Sequence, residues 1–293
     1  NNFNKFLGGA ELNVAIGLQK LGHTTKYISS VGDDPFGEFI KKEMIQNQIQ
    51  INNVQTKTGL YTGFIMKQKV SKGDPKVFHF RKNSAASHIG IEDILDLDIS
   101  NIKLAHFTGI FPALSKTTNE ALFELIKRLI QNNVFISFDT NLRLPLWENQ
   151  KTMIETINKY ASLSNLVLPG INEGKILTGS LVPEEIADFY LSNPKTEVVI
   201  VKTGAKGAFV KTKNGDSYTV NGFQVSKVVD TVGAGDGFAL GVISAYLEGL
   251  NWKQAALRGN AIGSLQVQTK GDNDGYPTYD QLSKYYLDNG VTE

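Results

Sequence analysis

Leu12, Ala15, Ile16 and Leu21 fall on one stripe of a predicted helix over residues 10–21, which Gly22 ends. Residues 24–31 follow as a short strand-like run. Asp34 precedes Pro35, with Glu38 in the first turn, so a capped helix is expected to carry Phe36, Phe39, Ile40, Met44 and Ile45 inward. Brief apolar runs at 102–107, 134–138, 165–168 and 198–201 are separated by helix-length periodic segments, notably 117–132. Strands that alternate with helices predict a mostly parallel sheet covered on both faces.

Residues 58–81 break this rhythm. Two strand-like runs, 59–67 and 76–81, flank a Ser-Lys-Gly-Asp-Pro turn cluster at 71–75, with no helix between them. Such a hairpin is either an accessory sheet over a ligand site or an antiparallel edge of the main sheet. On its second strand Val77, His79 and Arg81 share one face and Phe78 and Phe80 the other. Arg81 and His79 are thus expected to reach a ligand together while the phenylalanines pack. No internal repeat or linker-like boundary interrupts the chain.

Of the 293 residues, 41% are hydrophobic, which suits a globular core of one large or two modest domains. The 30 Lys and Arg against 29 Asp and Glu leave a net charge of +1. The basic excess that phosphate backbones demand is missing, so nucleic acid is not an expected partner. Cysteine is absent, which excludes disulfides, thiolate metal sites and a cysteine nucleophile. The longer apolar stretches fall short of the ~20 residues of a membrane span, and the N-terminus has neither an apolar signal core nor an initiator Met. A soluble cytoplasmic protein is expected, whose native start lies upstream of Asn1.

The strongest local signal runs from Asp230 to Phe238 through Gly233, Ala234, Gly235 and Asp236, into an apolar helical run. Small residues at a helix N-terminus leave unpaired N–H groups open to an anion. A tight loop-to-helix turn with an acidic first-turn residue has the same composition. The spacing is not that of a Gly-x-Gly-x-x-Gly dinucleotide fingerprint, Gly174-Lys175 fails as a P-loop, and the four histidines make no His-Glu-x-x-His pattern. Asp272-Asn273-Asp274-Gly275 has Ser283 where a calcium loop needs its bidentate carboxylate.

Two segments at opposite ends, residues 8–15 (Gly8-Gly9-Ala10-Glu11-Leu12-Asn13-Val14-Ala15) and 230–236, together resemble the signatures of ribokinase-like (PfkB) carbohydrate kinases. Thr58-Gly59-Leu60-Tyr61, residues 80–87, Asp139-Thr140-Asn141-Leu142-Arg143 and Leu144-Pro145-Leu146-Trp147 are similar to the 2-keto-3-deoxygluconate kinases of that family. The resemblance implies a three-layer α/β/α sandwich with a mostly parallel central sheet and a small β lid. Residues 9–55 and 85–293 would form the core, and 1–8 and 56–84 the lid. It also implies transfer of phosphate from ATP to a small acidic sugar, with Mg²⁺ and a monovalent cation such as K⁺ near Asp230. A homodimer through the lid is expected.

Residue by residue, the resemblance makes Gly9, Ala10, Glu11, Leu12 and Asn13 a sugar-binding segment. Tyr61, His79, Phe80 and Arg81 match lid contacts, while Arg143 and Asp272 match core contacts to the sugar. Asp236 matches the catalytic base and Gly233, Ala234 and Gly235 the anion hole. Lys202, Thr203, Gly204, Ala205, Lys206 and Gly207 match a nucleotide-binding loop, with Asn141 and Asn260 beside ATP. Glu173 matches a residue that reaches the metal through water, although Gly170 stands where the family motif has its first Asn. Local competitors remain: Asn13 facing solvent, Tyr61 in a lid core, Arg143 paired with Glu148, and Lys206 solvated. Members of the family usually begin with a strand bearing Gly-Glu or Gly-Asp, and no equivalent precedes Asn1.

Overall fold

The computed structural model describes residues 4–68 and 77–291, so the turn cluster at 71–75 lies outside the described residues. Helix α1 (Ala10–Lys20) is followed by β1 (Ser29–Gly32), α2 (Pro35–Gln46) and β2 (Val54–Lys57). β1 and β2 pair in parallel as a sheet of their own. The run at 24–31 is a strand only at its end, with Lys26 making a single bridge to Gln50.

Asp34 caps α2 by accepting from the Phe36 and Gly37 amides at 3.0 and 2.8 Å. Its second oxygen accepts from the Thr62 amide at 2.7 Å and so fixes the chain entering the hairpin. The inward stripe of α2 is narrower than its sequence predicts. Met44 is fully buried, but Phe36 and Ile45 are 44% and 58% exposed, because α2 has only a two-stranded sheet to cover.

The hairpin consists of β3 (Phe64–Lys67) and β4 (Val77–Phe80), antiparallel and separate from both other sheets. It is therefore an accessory sheet and not an edge of the main one. Phe64 stacks on Phe36 and on Phe80, with ring centroids 5.2 and 4.6 Å apart. Offset aromatic pairs of this kind stabilise by about 0.5–1.5 kcal/mol beyond their buried area, and here they join the hairpin to α2.

In the central sheet β5 (Leu104–Thr108), β6 (Phe135–Asp139), β7 (Leu166–Val167) and β8 (Val198–Lys202) run parallel. An antiparallel pair, β9 (Gly207–Thr212) and β10 (Ser217–Asn221), extends it to the order β10-β9-β8-β7-β6-β5. Helices α3 (Lys116–Gln131), α4 (Gln150–Ser162), α5 (Ile171–Thr178) and α6 (Pro183–Leu191) form the layer on one face. α1 joins α7 (Ala234–Leu247), α8 (Trp252–Gln266) and α9 (Tyr279–Asp288) on the other. Alternate residues of one strand feed opposite cores: Val198 and Ile200 pack under α7 and α8, Val199 and Val201 under α6. Both faces being buried is why these strands read as unbroken apolar runs. Thr108, Asp139 and Lys202 end their strands, so the parallel sheet delivers three polar side chains to one rim, where ligands bind in open α/β sheets.

Candidate active site

The N-terminus of α7 lies at this rim. Gly233 precedes the helix at φ 76°, and a Cβ there would stand 1.8 Å from the Asp272 carbonyl oxygen, so only glycine fits. The Tyr276 hydroxyl donates to the Gly233 carbonyl at 2.8 Å and holds the turn from behind. The Ala234 amide donates to the Thr231 carbonyl at 3.3 Å, while among the described residues no carbonyl takes the Gly235 amide in the first turn of α7.

Asp236, one residue further, is half-buried beneath two amides. Asn13 Nδ2 donates to its Oδ2 at 2.8 Å, and Asn141 Nδ2 lies 3.4 Å from its Oδ1. Burial pushes the Asp236 carboxyl up to about 7; Asp139 and Glu11 add to the rise while Asn13 and Lys202 oppose it. A carboxylate in that range is matched to taking a proton from a hydroxyl near neutral pH.

Asn13 thus faces the site, not solvent. Its oxygen accepts from Asn273 Nδ2 at 2.9 Å, which fixes the amide's orientation. Glu11 accepts from Thr108 Oγ1 at 2.5 Å and faces the same cleft. Gly9 starts the segment at φ 137°, and its carbonyl accepts from the Asn13 amide at 2.7 Å. Leu12, however, turns away into the core between α1, β1 and α2, as the opposite face of a helix must, and Ala10 is buried.

The hairpin brings His79 and Arg81 to the other side of the cleft. Arg81 is half-buried, and its Nη1 is buried without a hydrogen-bond partner. Burial depresses its pKa, Glu11 and Asp272 oppose that, and Arg143 assists it. The His79 pKa is lowered by burial and then by Arg81 and Arg143, which places three nitrogen bases around one space. Arg143 is exposed and donates to the Leu142 carbonyl at 2.9 Å; among the described residues no ion pair joins it to Glu148. Burial also raises the pKa of Asp272, whose carboxylate stands 2.6 Å from where a Gly8 Cβ would be. Tyr61 and Phe80 each make a contact within the protein while remaining 42% and 41% exposed. The Tyr61 hydroxyl donates to the Lys82 carbonyl, and Phe80 is spent in the aromatic stack.

Beyond Asp236 lies a second charged group. Lys202 Nζ meets both oxygens of Asp139 at 2.7 Å. Glu173 accepts from Thr140 Oγ1, the Leu142 amide and the Gly170 amide at 2.7, 2.7 and 2.8 Å. Burial works against its charge, but Lys202 and these donors outweigh it and hold the carboxyl below its usual range. The Gly170 donor is a main-chain amide, so the change from Asn to Gly at this position does not remove it.

The loop expected at a nucleotide is less uniform. Thr203 precedes a short turn, and Gly204, Ala205 and Lys206 are exposed, open to a ligand at the rim. Gly207 is glycine for a packing reason: at φ 105° a Cβ would meet the Val220 carbonyl at 2.1 Å. Asn260 is buried, and its Nδ2 donates to the Val220 and Asn221 carbonyls at 3.1 Å each, tying α8 to β10. Its donor is committed to the fold. Thr108, Asp139, Thr140, Asn273 and Tyr276 carry contacts at the site that the sequence did not assign to them. Only Asp139 and Thr140, inside the Asp139-to-Arg143 motif, had a signal that pointed there.

Comparison with known proteins agrees with this geometry. The chain is 44% identical to the 2-dehydro-3-deoxygluconokinase of Bacillus subtilis (strain 168), over 97% of this chain and 88% of that protein. It superposes on the PfkB protein from Polaromonas sp. JS666 with a TM-score of 0.88 at 40% identity, covering 97% and 91% of the two chains. The fructokinase from Vibrio cholerae O395, solved with fructose, ADP and calcium ion, gives a TM-score of 0.86 at 25% identity, covering 97% and 92%. The sequence pattern of pfkB family carbohydrate kinases matches residues 1–279, which include both the Gly9–Asn13 segment and the turn at Gly233, and the chain belongs to that family.

Proposed function

We propose that the chain transfers the γ-phosphoryl group of ATP to the C6 hydroxyl of 2-dehydro-3-deoxygluconate, the compound also called 2-keto-3-deoxygluconate, giving 2-keto-3-deoxy-6-phosphogluconate. The observation that carries the reading is the buried, unpartnered Nη1 of Arg81. An unmet guanidinium N–H costs free energy, and the fork of an arginine suits a carboxylate. With His79 and Arg143 beside it, this end of the cleft suits an acid sugar better than a neutral one. The relative from Bacillus subtilis bears the name of the same activity.

Phosphoryl transfer needs alignment and charge neutralisation more than covalent chemistry. Asp236 takes the hydroxyl proton, with its carboxylate aimed by Asn13 and Asn141. The amides at Gly233 to Gly235 receive the phosphate oxygens. Glu173 fits a role beside a divalent ion: its carboxylate has about four lone-pair sites, and three are filled by the donors above. One site remains for a metal-bound water, as magnesium keeps most of its waters in such sites. Glu173 would hold Mg²⁺ through that water, and the ion would supply positive charge to offset that of the phosphates. The same reading includes a monovalent cation such as K⁺ near Asp230, tested by exchanging KCl for choline chloride.

The hairpin and the residues around it, 56–84, act as the lid, and its outward apolar side chains meet a second copy of the chain. Among the described residues, no helix is long and apolar enough to cross a membrane. A coupled ADP-release assay over 2-keto-3-deoxygluconate, fructose and ribose tests the assignment. Preference for the acid sugar is expected. Preference for fructose or ribose moves the chain to another sugar kinase of the family, and no turnover with any sugar makes it a binding protein.

A further inference from the structure

An ammonium group carries three N–H donors. In Lys202 two are taken by the oxygens of Asp139, each at 2.7 Å, and no further hydrogen bond to Nζ exists among the described residues. Asp139 is almost completely buried and ends β6, while Lys202 ends β8 two strands away, so both partners stand on rigid elements. Burial works against the charge of Lys202, but Asp139, Glu173 and Asp236 outweigh it, and the side chain stays protonated.

The remaining donor has one notable neighbour. A Cβ built on Gly235 would meet nothing closer than Lys202 Nζ, at 3.9 Å. Gly235 is helical, its φ lies outside the left-handed region, and alanine there is free of strain. Alanine would also be the better helix former there. The fold therefore has no need of glycine at 235, in contrast to Gly233. What glycine leaves open is the space between the first turn of α7 and the ammonium.

We propose that Lys202 is a catalytic residue: its ammonium, clamped by Asp139, faces Gly235 across the anion hole and contacts an oxygen of the phosphoryl group as it is transferred. This rests on the reading that the phosphoryl group lies at Gly233–Gly235, and it deepens that reading by giving the hole a fixed positive charge. Asp139 has the role of a positioning residue, since it holds the ammonium without touching substrate.

The test separates transition-state charge from ground-state binding. Lys202→Met and Gly235→Ala are compared with wild type for kcat, sugar KM, ADP affinity by calorimetry in Mg²⁺, and affinity for the ADP–aluminium fluoride trap with sugar present. Loss of one preorganised donor typically lowers kcat by about 10²- to 10³-fold. Both variants are expected to show that loss, with an equal loss of trap affinity and with sugar KM and ADP affinity within about threefold of wild type. Lys202→Arg is expected to recover part of both. Should Lys202→Met fail to fold because Asp139 is left unpaired, Lys202→Met with Asp139→Asn removes both charges, and the same losses are expected. Near-normal kcat, an intact trap, or an ADP loss as large as the kcat loss overturns the proposal. All arms use whichever sugar the wild type phosphorylates, so failure of the acid-sugar assignment is read separately from failure here.

Discussion

Asn13 Nδ2 donates to Asp236 Oδ2 across 2.8 Å, although 223 positions separate the two residues. The contact joins the first turn of α1 to the first turn of α7, whose helices pack on the same face of the sheet. Asn273 completes a relay by donating to Asn13 Oδ1 at 2.9 Å, so the amide nitrogen and not its oxygen is turned to the base.

Removing that amide is expected to make the base harder to ionise. Asn13 opposes the burial that raises the Asp236 pKa, and a hydrogen bond to a charged group contributes roughly 1.5–3 kcal/mol, or about one to two pH units. Asn13→Leu should therefore shift the acid limb of the kcat–pH profile upward by about that much. Turnover would fall more at pH 6 than at pH 8.5. An unmoved acid limb would show that Asn13 does not aim the base.

Asp236→Asn nearly conserves shape but cannot take a proton, and a drop in kcat of about 10²- to 10⁴-fold is expected at unchanged ATP affinity. Stability should move the opposite way. The folded pKa, about 7, lies above the ordinary 3.8, so the folded state binds this proton more tightly than the unfolded one. The contribution of Asp236 to stability is whole below pH 4 and is lost as pH rises through 7. Thermal melts should find the variant and wild type similar at pH 4. At pH 8 the variant should be more stable, by up to about 4 kcal/mol. Equal melting curves at pH 8 would contradict the buried, proton-retaining carboxyl.

How legible the molecule was depended on how local each feature is. The apolar runs at 134–138 and 198–201 announce strands buried on both faces, and Asp34 before Pro35 announces a cap that the structure bears out. The β9–β10 hairpin escaped notice even though its Lys213-Asn214-Gly215-Asp216 turn carries an Asn-Gly signal. Family resemblance located Asp236 and Asn13 but could not say which neighbours face inward. Leu12 lies between two site residues, yet the helix turns it into the core. Asn260 and Gly207 serve the packing of β10. The Thr108–Glu11 and Asn273–Asn13 contacts span 97 and 260 positions and leave no local pattern to read.

Gly233→Ala combines a left-handed backbone with a contact of 1.8 Å to the Asp272 carbonyl. A cost of roughly 1–3 kcal/mol is expected from the backbone alone, with loss of turnover as the amides of α7 shift. Melting temperature and kcat should both fall. A variant that melts like wild type would mean that the turn relaxes without cost.

The β3–β4 hairpin leaves Phe78 54% and Met66 40% exposed as cross-strand partners on one face of a two-stranded sheet that is marginal by itself. Covering such side chains is the expected use of a dimer, and light scattering at micromolar concentration should give twice the chain mass. Phe78→Glu with Met66→Glu should give monomers. A monomeric wild type counts against the lid as the interface.

The last expectation concerns which sugar the site selects. Arg81 sits among groups of both signs, with Glu11 and Asp272 on one side and Arg143 and His79 on the other. Its unmet Nη1 asks for an acceptor, and the carboxylate of an acid sugar can take two of its donors at once. A neutral sugar offers hydroxyls, which gain less from a cation. A charge-assisted hydrogen bond contributes roughly 1.5–3 kcal/mol. Arg81→Ala should therefore lower kcat/KM for 2-keto-3-deoxygluconate by about 10- to 150-fold and leave activity on fructose and ribose little changed. Equal losses on acid and neutral sugars would assign Arg81 to holding the lid, because a residue that only shapes the hairpin has no means of telling a carboxylate from a hydroxyl.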